Sequence, residues 1–235
     1  QHPAEYDGVL PVCGIVGGLN YQMSYYWTMK ALVQQYYPGI VPNQLMSTND
    51  FFGTVGPQLI GAIFSDLGKA ADLAGVDQVE LAYTNPEELL WGLVYPVVFA
   101  TSDRFAGDLT ARLHGRNFFD NSGVQYSGSA DDAALNAGIA RFTADHDALN
   151  LLNSWYEPTG RVRIPVLTLH TARDPIVPIR HEQEYARLAA AAGSSAYLVQ
   201  RTIDRFGHCA FTADEQATAL RDLATWVRTG QRPLN

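Results

Sequence analysis

One stretch limits what this chain can fold into more than any other: Ile164-Pro165-Val166-Leu167-Thr168-Leu169-His170, followed by Thr171-Ala172-Arg173-Asp174-Pro175. Its first half is a short, nearly continuous apolar and β-branched run, the pattern of a parallel strand covered on both faces. Pro175, with Pro178 close behind, then stops the strand and fixes a turn. In open α/β sheets the chemistry gathers just past the carboxyl ends of the strands, which is where Asp174 stands. A second strand-like run, residues 196–203, follows a helical stretch and leads to Phe206-Gly207-His208-Cys209. Asp before Pro is a common turn residue and Gly-His a common loop pair. Their order, on successive β/α units, is what raises Asp174 and His208 above turn chemistry.

The bulk properties leave room for that reading and exclude others. The chain has 235 residues, 47% of them hydrophobic and 17% charged, enough to bury a sizeable core. Sixteen Lys and Arg face 24 Asp and Glu, a formal charge of −8. With no cluster of Lys or Arg, nucleic acid and anionic membrane surfaces are poor partners. No apolar run is long enough to span a bilayer. The opening Gln1-His2-Pro3-Ala4-Glu5 is polar and has no signal-peptide pattern. Few Lys (Lys30 and Lys69), many aromatics and two Cys are compatible with a secreted bacterial enzyme.

From residue 161 onward the order is strand, Asp turn, helix, strand, Gly-His and closing helix. That order resembles the last third of the α/β-hydrolase fold, whose triad runs Ser…Asp…His along the chain. The resemblance covers residues 4–18 and 161–230; for the stretch between, it gives only location. It implies an α/β fold class: the last three parallel strands of a hydrolase sheet with flanking helices, plus a large helical cap insertion. Residues 1–18 and 161–235 would form the core, and 19–160 the cap. It further implies that Asp174 orients and charge-stabilises His208, and that His208 acts as general base and then general acid. The expected substrate is a small-molecule carboxylic ester, handled without metal or other cofactor. An amide- or peptide-cleaving enzyme would use the same residues.

The segment Pro3-Ala4-Glu5-Tyr6-Asp7-Gly8 is similar to a phrase that, in that family, closes a helix before the sixth of eight strands. Residues 9–13 would then be that strand, and the nucleophile elbow Gly-x-Ser-x-Gly would lie roughly two dozen residues upstream. No Gly-x-Ser-x-Gly occurs in the chain; Ser127-Gly128-Ser129 and Gly193-Ser194 lack the flanking glycines. Three readings stand. The chain is the C-terminal part of a longer hydrolase; or Cys13, or less credibly Ser24, has replaced the nucleophile; or the chain is a non-catalytic binding or scaffold relative. An inner strand without its neighbour leaves an open edge, so self-association or pairing with a missing N-terminal part is expected.

Tannases and feruloyl esterases carry a Cys after the catalytic His, disulfide-linked to a Cys before the nucleophile. His208-Cys209 resembles the downstream half of that arrangement. Cys13, at the end of the sixth strand, is an alternative partner for Cys209; a Cys13–Cys209 disulfide and two buried free thiols both remain open.

Between 17 and 160 helical signatures dominate. Residues 21–37 and 57–73 read as helices, and Asn85-Pro86-Glu87-Glu88 opens a third through an N-cap, a first-position Pro and early acids. Pro96 should kink or split that helix. Ser129-Ala130-Asp131-Asp132 opens another, running to about Phe142, with Asp132 in a capping-box-like contact. Tyr21, Tyr25, Tyr26, Trp27, Tyr36, Tyr37, Phe51, Phe52, Trp91, Tyr95 and Phe99 supply an aromatic interior. A few of them, near 17–20 and Phe51-Phe52, are candidates for walling a pocket. The polar loop 118–128 has no EF-hand spacing and reads as turn chemistry. The histidines show no zinc pattern. Residues 178–192 read as an amphipathic helix closed by Gly193, with Glu182 and Glu184 on a solvated face. The last helix, 213–229, would bury Leu220, Leu223, Trp226 and Val227, with Thr212 or Asp214 capping its start.

Overall fold

The computed structural model describes residues 5–79 and 81–234. The helix end expected before Tyr6 falls on residues 1–4, outside the described residues. The chain divides into two compact units, one of residues 1–18 and 157–235, the other of residues 19–156. The return to the first unit thus comes at Glu157, a few residues before the expected 161.

The 19–156 unit is helical. Its order is α1 (Leu19–Tyr36), α2 (Thr48–Asp50), a π-helical turn (Phe51–Val55), α3 (Gly56–Ser65), α4 (Leu67–Ala74), α5 (Pro86–Thr101), α6 (Phe105–Arg112), α7 (Asp132–Gly138) and α8 (His146–Trp155). α5 is the centre of this unit: Leu89, Leu90, Leu93, Val94, Val97 and Val98 are all buried, so it is apolar around most of its circumference. Asn85 caps it by accepting from the N–H groups of Glu87 and Glu88. Pro96 lies inside it, yet α5 runs on as one helix to Thr101 instead of splitting, held by packing on all sides.

Two other helix expectations fail in their extent for the same physical reason, competition from a short polar side chain. Asp66 breaks 57–73 into α3 and α4 because its carboxylate accepts the Lys69 N–H at 2.9 Å and starts a new helix. α7 is capped by Asp131 and ends at Gly138, while Asp132 makes the expected capping-box-like contact by accepting the Ser129 N–H at 2.9 Å. Beyond it Asn121 Oδ1 accepts the Phe142 N–H and Asp120 accepts that of Ala144, which draws the chain into extended structure short of Phe142. Of the expected aromatic interior, Tyr25, Tyr26, Tyr37 and Phe51 are buried, the others half-buried, and Phe52 exposed. Tyr26 stacks on Phe99 with centroids 5.1 Å apart, and Trp27 meets Phe118 edge-on.

The other unit combines helix with parallel sheet. β1 (Val166–Arg173) and β2 (Leu198–Phe206) pair in parallel, from Val166 opposite Leu198 to Thr171 opposite Ile203. α9 (Arg180–Ala191) makes the crossover between them, and α10 (Ala213–Thr229) follows. Residues 9–13 lie along the other edge of β1. Val9 N–H donates to Pro165 O and Cys13 N–H to Leu169 O, while Val9 O and Pro11 O accept from Leu167 and Leu169. The expected third strand is therefore a paired segment of two isolated parallel bridges rather than a full strand, and β1 lies in the middle.

The period of two in β1 splits its side chains between two faces. Leu167 and Leu169 join Val199, Ala219, Leu223 and Trp226 on the α10 face; Val166 joins Ala189 and Leu198 on the α9 face. α10 presents Ala219, Leu223 and Trp226 as one stripe, and Leu220, about 100° around the helix from Ala219, is 56% exposed rather than in the core. Thr212 and Glu215 close a capping box at its start, and Gly230, in the left-handed region, ends it. Replacement of Leu169 by Ala should cost roughly 3 kcal/mol of stability in urea unfolding, while Leu220→Ala should cost no more than about 0.5 kcal/mol.

Candidate active site

Asp174 follows β1 directly and is 5% exposed. Its Oδ1 accepts the N–H groups of Ile176 and Val177, at 2.9 and 3.0 Å, an Asx turn enforced by Pro175. Its Oδ2 lies 2.8 Å from Nδ1 of His208. Nε2 of His208 has no hydrogen-bond partner among the described residues. Asp174 and His208, read from the sequence as a candidate pair, are thus brought together beyond the carboxyl ends of adjacent parallel strands.

The loop carrying His208 is fixed from several directions. Gly207 donates to Arg173 O at 3.1 Å and accepts from the Thr171 hydroxyl at 2.6 Å, where the ladder slips by one residue. Gly207 has φ of 109°, which suits only glycine. Cys209 is joined to Cys13 in a disulfide with Cα atoms 5.4 Å apart. Cys13 and Cys209 have φ of 45° and 53°, left-handed backbone that costs a non-glycine residue roughly 1–2 kcal/mol. The disulfide rules out Cys13 as the attacking nucleophile, because its sulfur carries no free thiolate. The two sulfurs and a His208 nitrogen lie within 4.8 Å of one another, but paired sulfurs are not thiolate ligands. Ser24, the other substitute, lies within α1, half-buried.

Beneath Asp174 is a buried polar cluster that the sequence reading missed. Thr168 and His170 share the α9 face of β1, and Glu182, in the first turn of α9, reaches both. Glu182 is 5% exposed, not solvated as expected. It accepts from the Thr168 hydroxyl and, at 2.6 Å, from the Gln200 side chain. Its Oε1 lies 3.3 Å from His170 Nδ1, within ion-pair range but outside hydrogen-bonding geometry. His170 Nε2 is 2.9 Å from Val177 O and 3.7 Å from Asp174 Oδ2. Burial opposes charging His170. Glu182, the Val177 carbonyl and Asp174 together outweigh it and raise its pKa above the ordinary 6.5. The neighbouring His181 goes the other way: burial, then the charge of His170, lowers it to about 3. Its Nδ1 accepts the Gly17 N–H at 3.0 Å, which suits a neutral ring. Two polar residues at alternate positions of an apolar strand, with an acid early in the next helix, were the available sequence signal.

In the 19–156 unit, buried Phe51 packs edge-on against exposed Phe52. A cavity of about 260 Å³ lies elsewhere, between Gln35, Tyr36, Lys69, Asp72 and Asp131. The loop 118–128 spends its oxygens internally: Asp120 accepts from Ser122 and Ala144, and Asn121 from Phe142. No helix among the described residues is long and apolar enough to cross a membrane.

No family model matches the chain, and no curated protein or solved structure matches it.

Two measurements check the site's construction. The contribution of His181 to stability is present above the ordinary value 6.5 and is lost as pH falls toward its folded value of about 3. That of His170 is full below 6.5 and is lost as pH rises through its raised folded value. Thermal unfolding should therefore show a stability maximum near the ordinary histidine value, with the acid-side slope reduced in His181→Gln. The disulfide closes a sequence separation of 196 residues, so reduction should cost roughly 2–5 kcal/mol, read as a lowered unfolding midpoint in dithiothreitol.

Proposed function

We propose that Asp174 and His208 are the acid and base of a serine-hydrolase triad of the α/β-hydrolase type, acting on carboxylic esters. In this reading the attacking hydroxyl comes from polypeptide outside these 235 residues, and the donors that stabilise the oxyanion come with it. The observation that carries it is the 2.8 Å bond between His208 Nδ1 and Asp174 Oδ2, with His208 Nε2 unengaged.

That bond fixes the tautomer. With Nδ1–H donated to Asp174, the lone pair of the neutral ring is on Nε2. Nε2 takes the hydroxyl proton as the serine oxygen attacks the ester carbonyl, and Asp174 stabilises the imidazolium that forms. The same proton then goes to the leaving alcohol, and a water repeats the sequence to release the acid. The disulfide and the Gly207 contacts hold the imidazole against rotation, which preserves its alignment through both steps.

The open edge of the 9–13 segment supports a partner for this half of the site. Residues 9, 11 and 13 pair with β1, so the peptide groups of Leu10 and Val12 face away from it, and neither N–H has a backbone partner among the described residues. An added parallel strand there, from an upstream segment or a second copy, would satisfy them. The second reading, a binding or scaffold relative without turnover, is favoured by the lack of any Gly-x-Ser-x-Gly in the sequence.

The two readings part on one experiment. The polypeptide encoded immediately upstream is supplied by fusion or in trans, and p-nitrophenyl ester turnover and fluorophosphonate labelling are measured. The hydrolase reading expects labelling of the completed protein and a loss of about 10²–10⁴-fold in His208→Ala. Equal turnover by the two proteins, or no labelling at all, supports the scaffold reading instead.

A further inference from the structure

We propose that His170 and Glu182 are positioning residues: a buried imidazolium, held by Glu182 from below, clamps the turn that presents Asp174 to His208. The inference deepens the hydrolase reading and rests on Asp174 and His208 being the working pair.

The clamp is visible in the bonds of a single residue. The N–H of Val177 donates to Asp174 Oδ1 at 3.0 Å, and its C=O faces His170 Nε2 at 2.9 Å. Val177 is therefore held at both ends, by the carboxylate on one side and the imidazole on the other. Asp174 and His170 are four residues apart across the end of β1, so together they close the turn on itself. A rotation of Asp174 that weakened its bond to His208 would have to break the Val177 N–H bond or drag the carbonyl away from His170.

Among the described residues, the hydrogen-bond and ion-pair contacts of the His170 ring are to oxygens: Val177 O and Asp174 Oδ2 at Nε2, and Glu182 Oε1 at Nδ1. A neutral imidazole would turn a lone pair toward one of these oxygens, whereas an imidazolium offers an N–H to each side. The other titratable groups near it are His181 on α9, neutral through its acceptance of the Gly17 N–H, and His208 beyond Asp174. Across the ladder His170 faces Thr202, which carries no charge, and on the 9–13 side the only titratable type, Cys13, is in the disulfide. Glu182 is itself fixed by Thr168 and Gln200. The order Glu182, His170, Asp174, His208 then alternates acid and base, and the proton that His208 receives during turnover completes two ion pairs in series. A buried carboxylate pair without His170 between its members would be costly.

The test uses the 235-residue chain and needs no turnover, so its failure is separable from failure of the hydrolase reading. Nitrogen-15 and proton NMR of the imidazoles report which ring nitrogens carry protons. His170 is expected to show both nitrogens protonated at pH 7, and in Glu182→Gln its titration midpoint is expected to fall by roughly one pH unit or more. The downfield Nδ1–H signal of His208 is expected to weaken or vanish in His170→Leu. It should be retained in His170→Gln, whose amide N–H can still reach the Val177 carbonyl. Circular dichroism checks that each variant is folded. A singly protonated His170 in the unmodified chain overturns the proposal even if neither substitution folds. An unchanged His208 signal in folded His170→Leu also overturns it.

Discussion

The carboxylate of Asp174 divides its two oxygens between the backbone and the imidazole, and the geometry of the whole site follows from that division. Oδ1 is committed to the turn that Pro175 forces, which leaves Oδ2 one direction in which to point. His208 is brought into that direction by a separate set of constraints: the slip in the ladder, the Gly207 turn and the disulfide. Neither side chain is free to adjust to the other. Their 2.8 Å separation is a property of the scaffold, set before either side chain meets anything else.

The strand that delivers Asp174 is unlike a typical buried parallel strand. On its α10 face it is apolar, with Leu167 and Leu169 in the hydrophobic cluster. On its α9 face it starts with Val166 and continues through Thr168 and His170, both fully buried. Polar groups in such a place persist mainly when satisfied: Thr168 bonds Glu182, His170 Nε2 meets the Val177 carbonyl, and His170 Nδ1 has Glu182 Oε1 at ion-pair distance. The two faces serve different ends: the apolar one holds the sheet to α10, and the polar one extends an electrostatic network up to Asp174.

Much of this was legible in the sequence, and the limits of legibility have physical causes. The β1 run, its Asp-Pro end, the second strand and the final helix were readable because each is a local pattern: a β-branched run, a fixed φ, an apolar stripe at helical spacing ended by Gly230. The pairing of Asp174 with His208 was readable only as an order along the chain. What failed to show was anything decided across elements. Glu182 looks like a solvated helix acid because its partners, Thr168 and Gln200, lie 14 and 18 residues away on two strands. Leu220 looks like a core residue until the sheet fixes which stripe of α10 turns inward. The break at Asp66 was local and was still missed, because a capping acid inside a helical pattern is hard to distinguish from a surface one.

The disulfide shows why covalent linkage is placed where it is. Residues 9–13 contribute few paired residues, and a segment held by four backbone hydrogen bonds at an edge would fray. The His208 loop, beyond the end of β2, lies beside it and is held to the end of β1 through Gly207. Joining Cys13 to Cys209 ties this segment to the His208 loop, at positions where both backbones are in the left-handed region. A flexible contact would let each relax out of that conformation; a covalent bond holds both. The strain is thereby kept beside His208, where the loop must stay rigid if its imidazole is to hold one rotamer against Asp174.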